Sequence, residues 1–287
     1  MTPTVQEFYH KPTYTFSYVV RDPHSSAALI VDPVLDYDHK SGRTGTASAE
    51  AIAAFIEDNG LAAEWILETH AHADHLTAAP YLQERVGGRI AIGEHITTVQ
   101  KTFQKVFNTN SGFRPNGSQF DHLFADGETF RIGSVEGRVI HTPGHTPACL
   151  TYVIGDAAFV GDTLFMPDYG TARCDFPGGD AGILYDSIQK ILALPPETRL
   201  FMCHDYKAPG RDAYAWETTV AEESAYNVHV HAGITREQFI AMRTARDRTL
   251  AMPVLILPSV QVNMRAGALP PPEDNGVSYL KIPVNAL

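Results

Sequence analysis

A six-residue stretch with four metal-binding side chains limits most strongly what this chain can fold into. The segment LETHAHADHLTAAPYL, residues 67–82, contains His70, His72, Asp74 and His75. A solvated turn rarely concentrates imidazole and carboxylate groups at this density, whereas a metal site requires them. Alternate positions of an extended segment face the same side, so His70 and His72 are expected to point together. We therefore expect a metal-binding loop at the end of a strand.

The segments around this loop alternate between strand and helix patterns. Two β-rich runs, YTFSYVVRD and SAALIVDPV, are separated by PHSS and predict a hairpin. SAEAIAAFIEDNG predicts a helix because Ile52, Phe55 and Ile56 recur at helical spacing, with Ser48 as the cap and Gly60 as the end. AEWILET predicts the strand before the histidine loop, LTAAPYLQERVGG a helix behind it, and RIAIG the next strand. This rhythm predicts an α/β fold with its site in loops at strand ends.

The second half of the chain repeats this rhythm and brings further His and Asp residues to strand ends. Strand patterns precede His145 in HTPGH, Asp162 in VGDTLF and His204 in CHDY, and a helix is predicted near ILYDSIQKILALP. Taken alone, Asp162 could cap a turn and His204 could be a buried histidine, but beside the loop both become candidate ligands. Residues 101–120 are polar and poorly periodic, which predicts a surface excursion. Two similar halves facing each other are expected, within one domain over 1–287.

The charge of the chain argues against nucleic acid as a partner. Lys and Arg number 22 against 33 Asp and Glu, a net charge of −11, and no long basic run is present to displace counterions. A small-molecule substrate is therefore expected, although a local basic pocket could still bind an anion. The N-terminus lacks a signal-peptide pattern, and no apolar run reaches the roughly 18 residues needed to span a bilayer. With only three cysteines, the chain is expected to be cytoplasmic and away from membranes.

Several motifs of the chain resemble a known superfamily. The H-x-H-x-D-H loop, the later Gly-His, the Gly-Asp after a strand and the final His resemble the metallo-β-lactamase superfamily over nearly the whole chain. This resemblance implies an αββα sandwich, with two mixed sheets and helices on the outer faces. Further stretches, among them IVDPV, HTPGHTPACLTYV, ARCDF, CHDY and VNMRAG, resemble the persulfide dioxygenases, also called sulfur dioxygenases. The opening segment is similar to bacterial β-lactamase-like hydrolases that some genomes fuse to a rhodanese domain, and no rhodanese segment is expected here.

The number of ligands that bind metal separates two kinds of chemistry. If all seven candidates bind, Asp162 bridges two metals such as Zn²⁺, and the site suits hydrolysis of a thioester or lactone, as in glyoxalase II. If only His70, His145 and Asp162 bind, they form a 2-His-1-carboxylate triad with open positions, which suits non-haem Fe(II) and O₂. The ligand set for two metals is complete, so the residues leave both alternatives open.

The resemblance to the persulfide dioxygenases favours the single iron. It implies one Fe²⁺ per chain held by His70, His145 and Asp162, with glutathione persulfide and O₂ as substrates and sulfite and glutathione as products. The other four candidates would then orient the ligands through hydrogen bonds without binding iron: His72, Asp74, His75 and His204. A homodimer is common in that family. A binding protein that kept the fold without the reaction is a further alternative, against which the complete ligand set argues.

Two arginines and a tyrosine are the candidates for binding substrate. Arg173 in ARCDF and Arg265 in NMRAG could hold substrate carboxylates. Each could instead form a salt bridge within the fold, and Asp175 lies close to Arg173 in sequence. Tyr206 in CHDY could present its hydroxyl to the open face of the metal, or could pack with that hydroxyl satisfied.

The three cysteines are weaker candidates. Cys174 lies in the loop after the strand that ends near Asp162, and could act as a sulfur carrier. Nothing near it in sequence marks a thiol of lowered pKa. Cys149 and Cys203 lie in strand patterns and are expected to be small core residues.

Overall fold

Two six-stranded sheets form the centre of the molecule, whose computed structural model describes residues 1–109 and 112–286. The first sheet has the spatial order β1 (Thr4–His10), β2 (Thr15–Arg21), β3 (Ala27–Val31), β6 (Ala62–Leu67), β8 (Arg89–Gly93) and β9 (His122–Phe124). The predicted hairpin is confirmed, because β2 and β3 pair antiparallel. From β3 to β9 the strands run parallel, so the loop after β6 emerges at one edge of the sheet.

The second sheet comes from the second half of the chain. Its order is β10 (Thr129–Ile132), β11 (Val135–His141), β12 (Leu150–Ile154), β13 (Ala157–Phe159), β14 (Arg199–Phe201) and β15 (Glu217–Thr219). All neighbours are antiparallel except β13 and β14. Both sheets therefore begin with a meander that is followed by parallel pairing, and in the second sheet the antiparallel strand β15 forms the edge.

Helices cover the outer face of each sheet. The described helices are α1 (Ala47–Asp58), α2 (Ala79–Val86), α3 (Ile96–Val106), α4 (Ala181–Leu192), α5 (Val220–Tyr226), α6 (Arg236–Asp247) and α7 (Ile256–Asn263). Buried residues of α1, α2, α3 and α7 share a core with the first sheet, and those of α4, α5 and α6 share one with the second. None of the helices in the described ranges has the length and hydrophobicity to cross a membrane.

A third core lies between the sheets and follows from strand alternation. In β2, Phe16, Tyr18 and Val20 join this central core, whereas Val19 points to the helices. Val139 of β11 joins the same central core from the second sheet. Because successive side chains of a strand face opposite sides, each sheet buries both faces. The layers are helix, sheet, sheet, helix, so the expected αββα sandwich is confirmed.

Two local predictions differ from the structure. Ser48 is not the cap of α1: the helix follows Thr46, and the Ser48 hydroxyl donates to Asp36 at 2.7 Å. The predicted surface excursion over 101–120 begins inside α3, which buries Val99 and Phe103 on one face, a pattern visible only when the window starts before residue 101. Positions 110 and 111 of that range lie outside the described residues.

A small third sheet ties the histidine loop to the rest of the molecule. β4 (Val34–Asp38) pairs with β5 (Arg43–Gly45) on one side and with β7 (Leu76–Thr77) on the other. Because β7 begins directly after His75, the β4–β5 hairpin lies beside the loop that carries the candidate ligands.

Candidate metal centre

A buried aspartate fixes the start of the loop after β6. Asp32 follows β3 with a φ of 48°, a left-handed conformation that Asp tolerates better than most residues. Its carboxylate accepts from the Thr69 backbone N–H at 2.7 Å and from the Thr69 hydroxyl at 2.8 Å. Since that hydroxyl donates to Asp32, it accepts from His70 Nδ1 at 3.0 Å. The His70 ring is thus protonated on Nδ1 and offers its Nε2 lone pair to the site.

Three candidate ligands form one compact set. His70 Nε2 lies 3.9 Å and His145 Nε2 lies 3.7 Å from Asp162 Oδ2, and the ligand atoms of all three lie within 4.8 Å of one another. Two atoms that each contact an ion at about 2.1 Å can be at most about 4.2 Å apart, so one ion can touch all three with little movement. The structure brings together the three residues expected to hold iron.

A second set lies on the other side of the same carboxylate. His204 Nε2 is 3.4 Å from Asp162 Oδ1 and 3.2 Å from Asp74 Oδ2, and His75 Nδ1 is 3.5 Å from Asp74 Oδ1. Asp162 therefore turns one oxygen toward each set. This geometry allows Asp162 to bridge two ions.

Backbone carbonyls fix the proton on two of the imidazoles. His145 Nδ1 lies 2.8 Å from the Arg173 carbonyl oxygen, and His204 Nδ1 lies 3.3 Å from the Tyr14 carbonyl oxygen. A carbonyl only accepts, so both Nδ1 atoms carry the proton and both Nε2 atoms have a free lone pair. The ARCDF segment thus supports the site through its backbone, a role that its sequence does not indicate.

His72 is held through its other ring nitrogen, Nε2, by two carboxylates. Its Nε2 lies 3.1 Å from Asp32 Oδ1 and 3.2 Å from Glu68 Oε2. Burial lowers the pKa of His72, but these two carboxylates outweigh burial and raise it well above its usual value. The free atom of this ring is therefore Nδ1, and His72 stands outside the compact set of His70, His145 and Asp162.

The buried atoms without hydrogen bonds mark the site. Among the described residues, six such atoms belong to candidate ligands: His70 Nε2, His72 Nδ1, Asp74 Oδ2, His75 Nε2, Asp162 Oδ1 and His204 Nε2. Unpaired buried polar atoms are costly, so their convergence indicates a missing common partner. Burial lowers the pKa of His70 well below its usual value and that of His75 to about 4. Neutral imidazoles and carboxylates are the forms that bind a divalent metal, so these candidate ligands other than His72 fit one.

Asn263 in VNMRAG closes the site from the other half of the chain. It is 3% exposed, and its amide donates to the carbonyl oxygens of His72 at 2.8 Å and His75 at 2.7 Å. Its oxygen accepts from the Thr77 N–H at 2.9 Å. Three bonds to one loop fix its path, and no local feature of the sequence announces this long-range contact.

The metal centre opens into a cleft of about 980 Å³. His75, His145 and Asp162 lie at its floor, and five aromatic side chains also line it: Tyr14, Tyr37, Phe165, Tyr169 and Tyr206. The Tyr206 ring stacks on His204 with centroids 5.6 Å apart and is 37% exposed. The volume is at the upper end for small-molecule sites. The predicted substrate residue Tyr206 therefore lies against the candidate ligands.

The two predicted arginines differ in position. Arg173 lines the cleft, but its guanidinium is engaged by Asp175 at 2.5 and 2.6 Å and by the Ala251 carbonyl oxygen at 2.7 Å. Arg265 does not line this cleft. It lies over the Phe113 ring, 4.4 Å from its centroid, beside a separate cavity of about 270 Å³. The physical reason is that the chain turns at the end of α7, so that Asn263 and not Arg265 faces the metal loop.

The cysteines are all free and buried. Burial raises the pKa of Cys174, and it raises the pKa of Cys149 to about 12. Cys203 lies within reach of Asp162 and His204, and burial also raises its pKa well above the usual value. Thiols in such surroundings stay protonated and react slowly.

A carboxylate set between two histidine clusters, at the open edge of an αββα sandwich, defines a class of metal-dependent enzymes. The chain belongs to the metallo-beta-lactamase superfamily, whose family model matches residues 10–204. The family resemblance of the sequence is therefore confirmed.

Named relatives fall into two groups. A probable metallo-hydrolase of Burkholderia pseudomallei (strain 1710b) is 59% identical, covering 99% of this chain and 100% of the relative. Glyoxylase B2 of Dictyostelium discoideum is 50% identical, covering 99% of this chain and 97% of the relative. Persulfide dioxygenase ETHE1 of Mus musculus is 30% identical, covering 93% of this chain and 90% of the relative.

A solved structure supports the same relationship. The crystal structure of ETHE1 from Myxococcus xanthus is similar with a TM-score of 0.72 and 29% identity, covering 92% of this chain and 100% of that one. The persulfide dioxygenases are thus homologues of this chain, while the two relatives of higher identity are named a probable metallo-hydrolase and glyoxylase B2.

Proposed function

We propose that this chain is a persulfide dioxygenase that oxidises glutathione persulfide with O₂ and water to sulfite and glutathione, using one Fe²⁺ held by His70, His145 and Asp162. The compact set of these three side chains is the observation on which the proposal depends. Two imidazoles and one carboxylate on one side of an ion are typical of non-haem iron sites that keep positions open for O₂ and substrate. The relation to persulfide dioxygenase ETHE1 over 93% of the chain supports the assignment.

When bound, the iron supplies a Lewis-acidic, redox-active centre at which sulfur and O₂ meet. The electrons that reduce O₂ come from the terminal sulfur of the persulfide, so the balance requires no further reductant. Both oxygen atoms and one from water end on that sulfur, and the released thiol is glutathione.

The residues of the chain position and shield this reaction. The Arg173 carbonyl holds His145 by its Nδ1–H, and Thr69 holds His70 in the same way. His72 orients the loop through Asp32 and does not bind the iron. The aromatic wall of the cleft keeps water from the sulfur, which raises the strength of electrostatic interactions inside.

Tyr206 and Arg173 are proposed to contact the substrate. Tyr206 stacks on His204 at the floor of the cleft, where its hydroxyl can donate to the persulfide or to an oxygen on the sulfur. Arg173 uses Nε and Nη2 for Asp175 and Nη1 for the Ala251 carbonyl oxygen, which leaves one further N–H on each of Nη1 and Nη2 for a substrate.

A second candidate function is a binuclear Zn²⁺ hydrolase of a thioester or lactone. The position of Asp162 between two ligand sets favours it, as do the unpaired atoms of Asp74, His75 and His204. Two Lewis-acidic ions would polarise an ester carbonyl and activate water. The name of the Burkholderia relative, a probable metallo-hydrolase at 59% identity, agrees with this alternative.

Metal content and reaction together separate the two functions. Protein purified from cells is analysed for metals, and Fe²⁺-loaded protein is then given glutathione persulfide while O₂ uptake is recorded. One iron per chain with O₂ uptake and sulfite production is the expected result. Two zinc ions per chain, no O₂ uptake and fast cleavage of a glutathione thioester would overturn the proposal in favour of the hydrolase.

A further inference from the structure

Four arginines line the cleft, and two of them have no carboxylate partner. Arg173 and Arg243 are each paired with a neighbouring aspartate. Arg43 and Arg246 also line the cleft, but neither has a carboxylate oxygen of the described residues within 4.0 Å. In a chain with a net charge of −11, two unpaired guanidinium groups at one cleft require an explanation.

Arg246 is carried by a helix that is fixed to the cleft wall. Three residues earlier on α6, Arg243 is buried, donates to Asp247 at 2.8 Å and donates to the Thr171 carbonyl oxygen at 3.1 Å. Residues three apart lie on the same helix face, and both arginines line the cleft. Arg243 therefore anchors the helix, while the exposed Arg246 is left free on the same side.

Arg43 is carried by the hairpin that adjoins the metal loop. It lies in β5, which pairs with β4, and β4 pairs in turn with β7 directly after His75. The cross-strand neighbour of Arg43 is Asp38, but that carboxylate caps the hairpin turn by accepting from Lys40 N at 3.0 Å and Ser41 Oγ at 2.6 Å. The guanidinium is thus not neutralised by the residue opposite it.

The carboxylates of the cleft are engaged elsewhere. Asp36 accepts from the Ser48 backbone N–H at 2.9 Å and the Ser48 hydroxyl at 2.7 Å and lies 3.3 Å from His10 Nε2. Asp74 and Asp162 face the metal site. The cleft therefore has a metal-binding floor and two cations on separate elements, within a volume of about 980 Å³ that holds a short peptide.

We propose that Arg43 and Arg246 bind the two carboxylates of a thiol peptide whose sulfur reaches the metal centre. The identity of that peptide as glutathione rests on the proposed function. Guanidinium groups form paired hydrogen bonds with carboxylates, and two arginines on rigid elements select a substrate with a carboxylate at each end. Small thiols without carboxylates gain nothing from these residues.

Calorimetry with S-methylglutathione, which binds without reacting, tests this on the metal-loaded enzyme. Arg43→Ala and Arg246→Ala are each expected to weaken binding about tenfold, which is the loss of one charge-assisted interaction. Lys40→Ala and Arg248→Ala are the matched controls, because these residues lie on the same hairpin and at the end of the same helix without lining the cleft. Both controls should bind as the unmodified protein does.

The diethyl ester of S-methylglutathione provides the second arm. It should bind the unmodified protein about as weakly as a variant with both Arg43→Ala and Arg246→Ala binds the free acid, and the arginine substitutions should not weaken the binding of the ester further. Unchanged affinity of both arginine variants for the free acid, or no binding to the unmodified protein, would overturn the proposal.

O₂ uptake with glutathione persulfide separates this inference from the proposed function. If the unmodified protein consumes O₂ and the arginine variants keep its KM, the proposal that Arg43 and Arg246 bind the substrate carboxylates is wrong, and the proposed dioxygenase activity is retained. If the unmodified protein consumes no O₂ but binding of S-methylglutathione still depends on both arginines, the proposed dioxygenase activity is wrong, and the proposal that the arginines bind the carboxylates is retained.

Discussion

Replacement of Asn263 tests whether the far half of the chain holds the metal loop. Asn263→Ala removes two donated bonds, to the carbonyls of His72 and His75, and one accepted bond, from Thr77. Each buried hydrogen bond contributes about 1 kcal/mol, so we expect a loss of about 3 kcal/mol in the free energy of unfolding. The unfolding entropy of about 2.1 cal/mol/K per residue, over 287 residues, gives roughly 0.6 kcal/mol/K. The melting temperature should therefore fall by roughly 5 °C.

Asn263→Asp refines the same test with a side chain of equal size. The carboxylate can still accept from Thr77 N, but it opposes two carbonyl oxygens and buries a charge, so the loss should exceed that of the alanine variant. Thermal unfolding of the metal-free protein gives the stability, and metal analysis after reconstitution gives the occupancy. We expect both to fall, because the two carbonyls that Asn263 holds belong to the ligand loop.

Asn275→Ala is the control, because Asn275 is exposed and bonds only locally, to Tyr279 at 2.6 Å and to the Val277 N–H at 3.0 Å. Its melting temperature should stay within about 1 °C of the unmodified protein. A shift of less than 1 °C for both Asn263 variants, with full metal occupancy, would refute the claim that this residue sets the path of the loop.

Four further outcomes are expected. Thr15→Val removes the hydroxyl that contacts Nδ1 of His75 at 3.4 Å and of His204 at 3.3 Å. Titration with Zn²⁺ should therefore show at least about tenfold weaker binding of the ion that these two histidines and Asp74 would hold. Thr15→Ser should retain the affinity. Burial raises the pKa of Glu223 to about 8. The contribution of this group to the free energy of unfolding is therefore fully present below its usual pKa and is lost as the pH rises from about 4.5 to 8. Glu223→Gln should remove that part of the pH dependence of urea unfolding. Cys174→Ala should keep O₂ uptake within about twofold, since the buried thiol stays protonated; loss of activity with normal iron content would restore the sulfur-carrier hypothesis. Chelation of the metal should lower the melting temperature by roughly 4–5 °C if the ion is present at about a hundred times its Kd, which corresponds to about 2.7 kcal/mol.

The loop of candidate metal ligands was predictable because its chemistry is dense in the sequence. His70, His72, Asp74 and His75 fall within six positions, and a strand pattern before them fixes where the loop emerges. Such a signal depends only on local spacing, so it can be recognised without knowledge of the tertiary fold. Strands β6 and β8 were predictable for the same reason, whereas β7 at Leu76–Thr77 lies in the stretch LTAAPYLQERVGG, for which a helix is predicted and in which α2 begins only at Ala79.

The residues that support the ligands were not predictable, because they act across long separations in the chain. Glu68 is adjacent to the loop but reads as the end of a strand, and its carboxylate finds His72 and Thr77 only once the loop folds back. Asp32 reads as part of a turn, and Asn263 lies far along the chain. The position of Arg265 depends on the tertiary fold in the same way: the motif NMRAG made it a candidate for binding substrate, but a turn at the end of α7 takes it to another cavity.

Charge balance offers a physical reason why one ion can suffice in a site with ligands for two. The carboxylates that face the metal positions are Asp74 and Asp162, and together they carry two negative charges that one divalent ion neutralises. Asp32 is balanced by His72, whose raised pKa marks one positive charge, and burial raises the pKa of Glu68, which shifts that carboxyl toward its neutral form, so this group of three adds little to the balance. A second divalent ion in the same buried volume would meet strong repulsion from the first. It can bind only if solvent supplies a further anion, which releases a proton as it forms. Counting protons released per ion during Zn²⁺ and Fe²⁺ titration therefore distinguishes a site that is complete with one metal from one built for two.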